Sequence, residues 1–130
     1  MNFSQMNKRC PGNGFISKAT LFGFKFVYDG ISRNGGSVAN IVEDGNGRVL
    51  GGLFEISNDH LISLDKYEGY PTSYSRAQFS VQDEHGNLFS AITYFRTGKQ
   101  TGEPHPKYRR IVIQGARDCK LPEDYIKEHL

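Results

Sequence analysis

The chain has 130 residues, 37% hydrophobic and 23% charged, enough for one domain spanning 1–130 with its own core and too few for a multidomain machine. Sixteen Lys and Arg against fourteen Asp and Glu leave a formal charge of +2, which gives little drive toward phosphate backbones or anionic lipid. A small molecule is therefore the expected partner, with no nucleic acid and no membrane, and no apolar run approaches the roughly 20 residues of a membrane-spanning helix. Cys10 and Cys119 form no CxxC pair and Met1 opens no basic-then-apolar leader, so reduced thiols and a cytoplasmic location are expected.

Along the chain, Phe22, Phe24, Phe26 and Tyr28 alternate with Leu21, Gly23, Lys25 and Val27. That period of two predicts a strand with one buried face. Residues 37–42 and 49–56 predict two more strands, and Asp44-Gly45-Asn46-Gly47 between them supplies residues that tolerate positive φ, the signature of a hairpin. At Ser57 the period changes. Ser57 can cap a helix, Asp59 lies in its first turn, and Leu61, Leu64, Asp65 and Glu68 follow at three- and four-residue spacing. Gly69 can end that helix in a left-handed cap, and Pro71 prevents its continuation. Residues 74–82 and 88–96 alternate again across the turn 83–87, a second hairpin. After the polar stretch 97–105, Pro106 and Pro122 each can open a helix, the first carrying Tyr108, Ile111 and Val112, the second Tyr125 and Ile126. Five strands with two to three short helices and no βαβ signature predict an α+β fold with a small mixed, strongly curved or barrel-like sheet.

The most informative candidate for chemistry is Glu68. A carboxylate at the carboxyl end of a helix sits in the negative end of the macrodipole, which disfavours its ionisation, and the uncharged neighbours Gly69, Tyr70 and Pro71 push the same way. The result is a base suited to neutral pH, against the plainer reading of a solvated terminal Glu. Asp65, one turn earlier, is the rival carboxylate. Seven tyrosines and no tryptophan tilt the composition toward aromatic groups with hydroxyls, and Tyr74, Tyr94 and Tyr108 can converge on a pocket or serve as core residues. Tyr67 reads as a helix packing residue. His60, His85, His105 and His129 are scattered without metal-ligand spacing, so no metal and no cofactor are expected. No serine stands in a GxSxG setting, and Gly35-Gly36 is no GxGxxG.

In order and spacing, several segments resemble the γ-glutamylcyclotransferase family, including its AIG2-like and butirosin-deacylase-like members: Arg9-Cys10-Pro11, the run from Gly35-Gly36 through Val42, Gly51-Gly52-Leu53-Phe54-Glu55-Ile56, Leu64-Asp65-Lys66-Tyr67-Glu68-Gly69-Tyr70-Pro71, Pro106-Lys107-Tyr108, Gly115-Ala116-Arg117 and the run Leu121 to Ile126. The resemblance implies the fold of that family and an enzyme that cyclises a γ-glutamyl amine, amino acid or peptide to 5-oxoproline, releasing the amine. It further implies Glu68 as catalytic acid/base, with Tyr74, Tyr94, Tyr108, Gly35 and Gly36 at substrate-binding positions. One segment departs from the pattern. Family members open with an apolar strand ending in Tyr-Gly-Ser-Asn, and residues 1–11 here resemble the stretch just after it, as though the first strand were missing. That departure implies an unfilled sheet edge able to support a homodimer, and it keeps open a catalytically impaired relative that binds or sequesters a small metabolite. An exposed edge also leaves room for a protein-interaction domain.

Overall fold

Four antiparallel strands and four helices make up the computed structural model, which describes residues 1–33 and 35–130. In chain order they are α1 (Phe3–Arg9), β1 (Gly14–Asp29), β2 (Val38–Glu55), α2 (Asn58–Glu68), β3 (Ser75–Asp83), β4 (Leu88–Phe95), α3 (Pro106–Asp118) and α4 (Glu123–His129). The sheet runs β2-β1-β3-β4 with every pairing antiparallel, so the α+β class holds, whereas the expected mixed sheet does not form. Nor is it barrel-like or strongly curled. The outer strands β2 and β4 share no ladder among the described residues, and β1 meets β3 only at Ala19↔Asp83 and Thr20↔Gln82, too short a seam to roll the sheet shut.

The expected hairpin at residues 44–47 is not a chain reversal. Residues 38–43 and 48–55 both pair with the same long strand β1, as Phe24↔Glu43 and Phe22↔Arg48 show, and the four residues between them stand opposite Gly23 as a bulge. Five expected strands thus become four. Backbone proximity explains the glycine at the bulge's end: a Cβ on Gly47 would lie 2.5 Å from the Phe24 carbonyl oxygen. Gly23 takes φ +86°, which lets β1 kink there. The kink reverses the expected facing. Phe22 is 60% exposed while Leu21 and Phe24 pack on the same side, because a one-residue slip exchanges the faces of a strand.

Two apolar clusters result. On one, Leu21, Ile41 and Val81 are buried with Phe24, Phe79 and Phe95 around them, the rings of Phe24 and Phe79 meeting edge to face at 5.3 Å. On the other, α3 and α4 bury Ala116, Cys119, Leu121, Tyr125 and Ile126 against Leu50 and Phe54 of β2. Gly52, between those two positions, admits Cys119: a Cβ there would stand 2.5 Å from its Sγ. Both cysteines are buried and free.

Helix α2 forms as its caps dictate. Ser57 Oγ accepts from the His60 N–H at 3.1 Å, and His60 Nδ1 accepts from the Ser57 N–H at 3.2 Å. His60 Nε2 then carries the ring proton and donates to the Pro11 carbonyl at 2.6 Å, so this histidine ties α2 to the segment after α1. Gly69 ends the helix at φ +68°. Helix α1 has no counterpart in the sequence reading, since its seven residues FSQMNKR are too few and too polar for a periodic signal; Asn2 caps it by accepting from the Gln5 N–H.

Replacing Gly47 with Ala forces a backbone shift and is expected to lower stability by about 1–3 kcal/mol, whereas Gly45→Ala, whose Cβ meets nothing within 4 Å, stays within about 0.5 kcal/mol of wild type. Urea unfolding midpoints of the two variants test this directly.

Candidate functional site

The end of α2, the start of β2, the residue preceding β3 and the first turn of α3 surround one cavity of about 1040 Å³. Each position has a local cause. The left-handed turn at Gly69 stops α2 with Glu68 as its last residue, at the cavity wall. Pro106 at the N-terminus of α3 sets that helix so that Tyr108, in its first turn, reaches β2. Tyr74, just before β3, reaches the same residue of that strand.

Both hydroxyls bind the main chain of one residue. Tyr108 Oη accepts from the Ala39 N–H at 3.0 Å, and Tyr74 Oη donates to the Ala39 carbonyl at 2.8 Å. Their remaining capacities are complementary: the Tyr108 hydroxyl keeps its proton to donate, and the Tyr74 oxygen keeps a lone pair to accept. Burial pushes the Tyr108 phenol up to about 12, opposed by the Ala39 N–H, so it stays protonated at neutral pH. Burial raises Tyr74 too, opposed by Arg96. Glu68 is half-buried, and burial raises its carboxyl above the ordinary range, with Arg9 pulling the other way.

Of the other positions singled out in the sequence, Tyr94 does not line the cavity. Its hydroxyl donates to Asp65 Oδ1 at 2.6 Å, while Arg76 Nη1 lies 2.5 Å from Oδ2, so Asp65 locks the last turn of α2 to the β3–β4 hairpin. Burial, then the Asp65 carboxylate, raises the Tyr94 phenol. Gly35 and Gly36 belong to the β1–β2 connection but also lie outside the lining, although Ile31 and Ser32 of that connection are in it; Gly36 backs onto the main chain at Pro104 and His105. Tyr67 is 60% exposed rather than packed, with the Arg9 guanidinium 4.5 Å from its ring centre. Among the described residues no group of His, Cys, Asp and Glu can hold a metal ion, and no helix is long and apolar enough to cross a membrane.

A buried ionic node beside the tyrosines has no signal in the sequence. Asp29 is fully buried at the end of β1, where a charged residue ordinarily marks solvent. Arg96 Nη2 lies 2.5 Å from Asp29 Oδ1 and donates to the Asp29 carbonyl at 3.0 Å. Asn40 Nδ2 and the Lys99 N–H donate to Oδ2, and Asn40 Oδ1 accepts from the Arg96 N–H. The network crosses about 70 residues of chain, which no short motif records.

The AIG2-like family model matches residues 48–129, more than half of the chain. A γ-glutamylcyclotransferase of Bos taurus is 27% identical over 130 residues, covering 95% of this chain and 69% of that protein. The Homo sapiens γ-glutamylcyclotransferase is 25% identical over 127 residues, covering 93% of this chain and 68% of that protein. A solved structure of a γ-glutamyl cyclotransferase superposes with a TM-score of 0.89 at 24% identity, covering 96% of this chain and 78% of that one, which shows the fold.

Because the folded state raises the Glu68 pKa, the unfolded chain releases that proton first; the stabilisation is present in full below the ordinary value of 4.5 and is lost as pH rises through the folded value. Glu68→Gln is therefore expected to match wild type near pH 4 and to become the more stable protein as pH increases, read from urea midpoints across that range.

Proposed function

The chain belongs to the AIG2-like family, and from that premise we propose that it cyclises a γ-glutamyl amide to 5-oxoproline with release of the amine, Glu68 acting as general acid/base. The supporting observation is one half-buried carboxylate of raised pKa in a cavity it shares with two oriented tyrosines. The bonds balance without an enzyme nucleophile. The substrate's ammonium loses a proton to Glu68 and its nitrogen attacks the γ-carbonyl carbon; Glu68 gives that proton to the leaving nitrogen as its bond to carbon breaks, and the second proton shed by the ring nitrogen passes by way of Glu68 to the departing amine, which leaves as an ammonium. Attack within one molecule already carries a large effective molarity, so the protein's task is to hold the glutamyl chain folded and to move that proton. Raised basicity in Glu68 narrows its gap to the ammonium. The free Tyr108 proton suits the carbonyl or carboxylate oxygen, and the free Tyr74 lone pair suits the ammonium.

Glu68→Gln is expected to cut 5-oxoproline release from γ-glutamyl substrates by about 10²–10⁴-fold while leaving the circular dichroism spectrum unchanged. Turnover that survives this substitution rejects the acid/base role, and tight binding of γ-glutamyl compounds by a wild-type protein that never turns them over identifies a sequestering relative instead.

A further inference from the structure

Resting on the reading of the cavity as a γ-glutamyl site, we propose that Arg96 is its carboxylate-recognition residue, held in place by Asp29. The cavity wall carries five basic side chains, Arg9, Arg33, Lys66, Arg96 and Lys99, and one acidic side chain, Glu68. Arg33, Lys66 and Lys99 are exposed cations whose attraction water and salt weaken, and Arg9 is half-buried over the Tyr67 ring. Arg96 differs in that its side chain is only 10% exposed. A guanidinium so placed must spend its donors inside the protein, and on one edge it does: Nη2 meets Asp29. On the other edge Nη1 is shielded from solvent and has no hydrogen-bond partner. A buried donor left unmade is costly, so its persistence beside the cavity points to an acceptor that a ligand brings as the side chains covering Nη1 part.

The surroundings fix what that acceptor is. Arg96 lies with its Cζ 5.4 Å from the ring centre of Tyr74, and Asp29 is held by Asn40 and the Lys99 N–H as well as by Arg96, so the guanidinium cannot swing away. A fixed, planar, permanently charged donor set of this kind matches a carboxylate. A γ-glutamyl compound offers one on its glutamyl α-carbon, and a second when the leaving amine is an amino acid. Arg96 therefore discriminates carboxylated from neutral ligands, a role separate from the proton transfer at Glu68.

The test uses 5-oxoproline and its carboxylate-free isostere 2-pyrrolidinone, titrated into the full chain by calorimetry. Wild type is expected to bind 5-oxoproline at least about tenfold more tightly, and the double variant Asp29→Asn/Arg96→Gln, which removes both buried charges together and so leaves neither stranded, to lose that preference. Arg96→Lys provides a second variant that keeps the charge against Asp29 but loses the planar fork, and it too is expected to lose most of the preference. Lys99→Ala is expected to retain it. A wild-type preference that persists in both Arg96 variants, or a wild type indifferent to the carboxylate, overturns the assignment. KM values of Arg96→Lys for γ-glutamylglycine and γ-glutamylmethylamine check the same group in turnover: a rise for both marks the α-carboxylate that 5-oxoproline carries, whereas a rise for the first alone, or for neither, rejects the role. Discrimination by a protein that releases no 5-oxoproline leaves Arg96 standing and rejects catalysis alone.

Discussion

The main chain of Ala39 joins the parts of the molecule that make its cavity. Its N–H is taken by a tyrosine from α3 and its carbonyl by a tyrosine next to β3, so two elements that share no other direct bond at this point are indexed against one strand. The residue on one side, Val38, pairs with Asp29; the residue on the other, Asn40, bonds Asp29 and Arg96. Three consecutive residues of β2 thus set the positions of two phenols and one guanidinium. Buried polar groups that satisfy one another define a unique arrangement, since any shift of the strand leaves several unmade bonds at once.

Electrostatics at the site divide by burial. Glu68 gains basicity from being taken out of water, Tyr108 is held protonated by the same cause, and Arg96 is paired inside with Asp29. The Asp65 carboxylate, by contrast, meets Arg76 and Tyr94 and serves as a strut under the last turn of α2. Two carboxylates one helical turn apart therefore have different work, one bound to its neighbours and one facing the cavity.

Helix α2 was legible in full because its caps are local: Ser57, Gly69 and Pro71 act on adjacent backbone groups. Strand positions in β3 and β4 and the helix opened by Pro106 were legible for the same reason. The bulge at 44–47 was not, since an Asp-Gly-Asn-Gly run serves a hairpin and a bulge equally and only the partner strand decides between them. The site divided along the same line. Glu68, Tyr74 and Tyr108 come together at the cavity, while Tyr94 faces Asp65 and Gly35 and Gly36 lie off the wall, because a strand's period of two does not say which of its faces a distant helix will leave open. Arg96 and Asp29 carry no local signal because each takes its role from the other, 67 residues apart in the chain.

The bulge in β2 separates a half that carries Leu50, Gly52 and Phe54 under α3 and α4 from a half that carries Val38 and Ala39 at the cavity. An uninterrupted ladder would transmit any slippage from one end to the other. Four residues set opposite a single glycine act instead as an expansion joint: each half keeps its own register against β1, with Arg48 opposite Phe22 on one side and Glu43 opposite Phe24 on the other. The geometry of the cavity end is thereby set separately from the packing under α3 and α4.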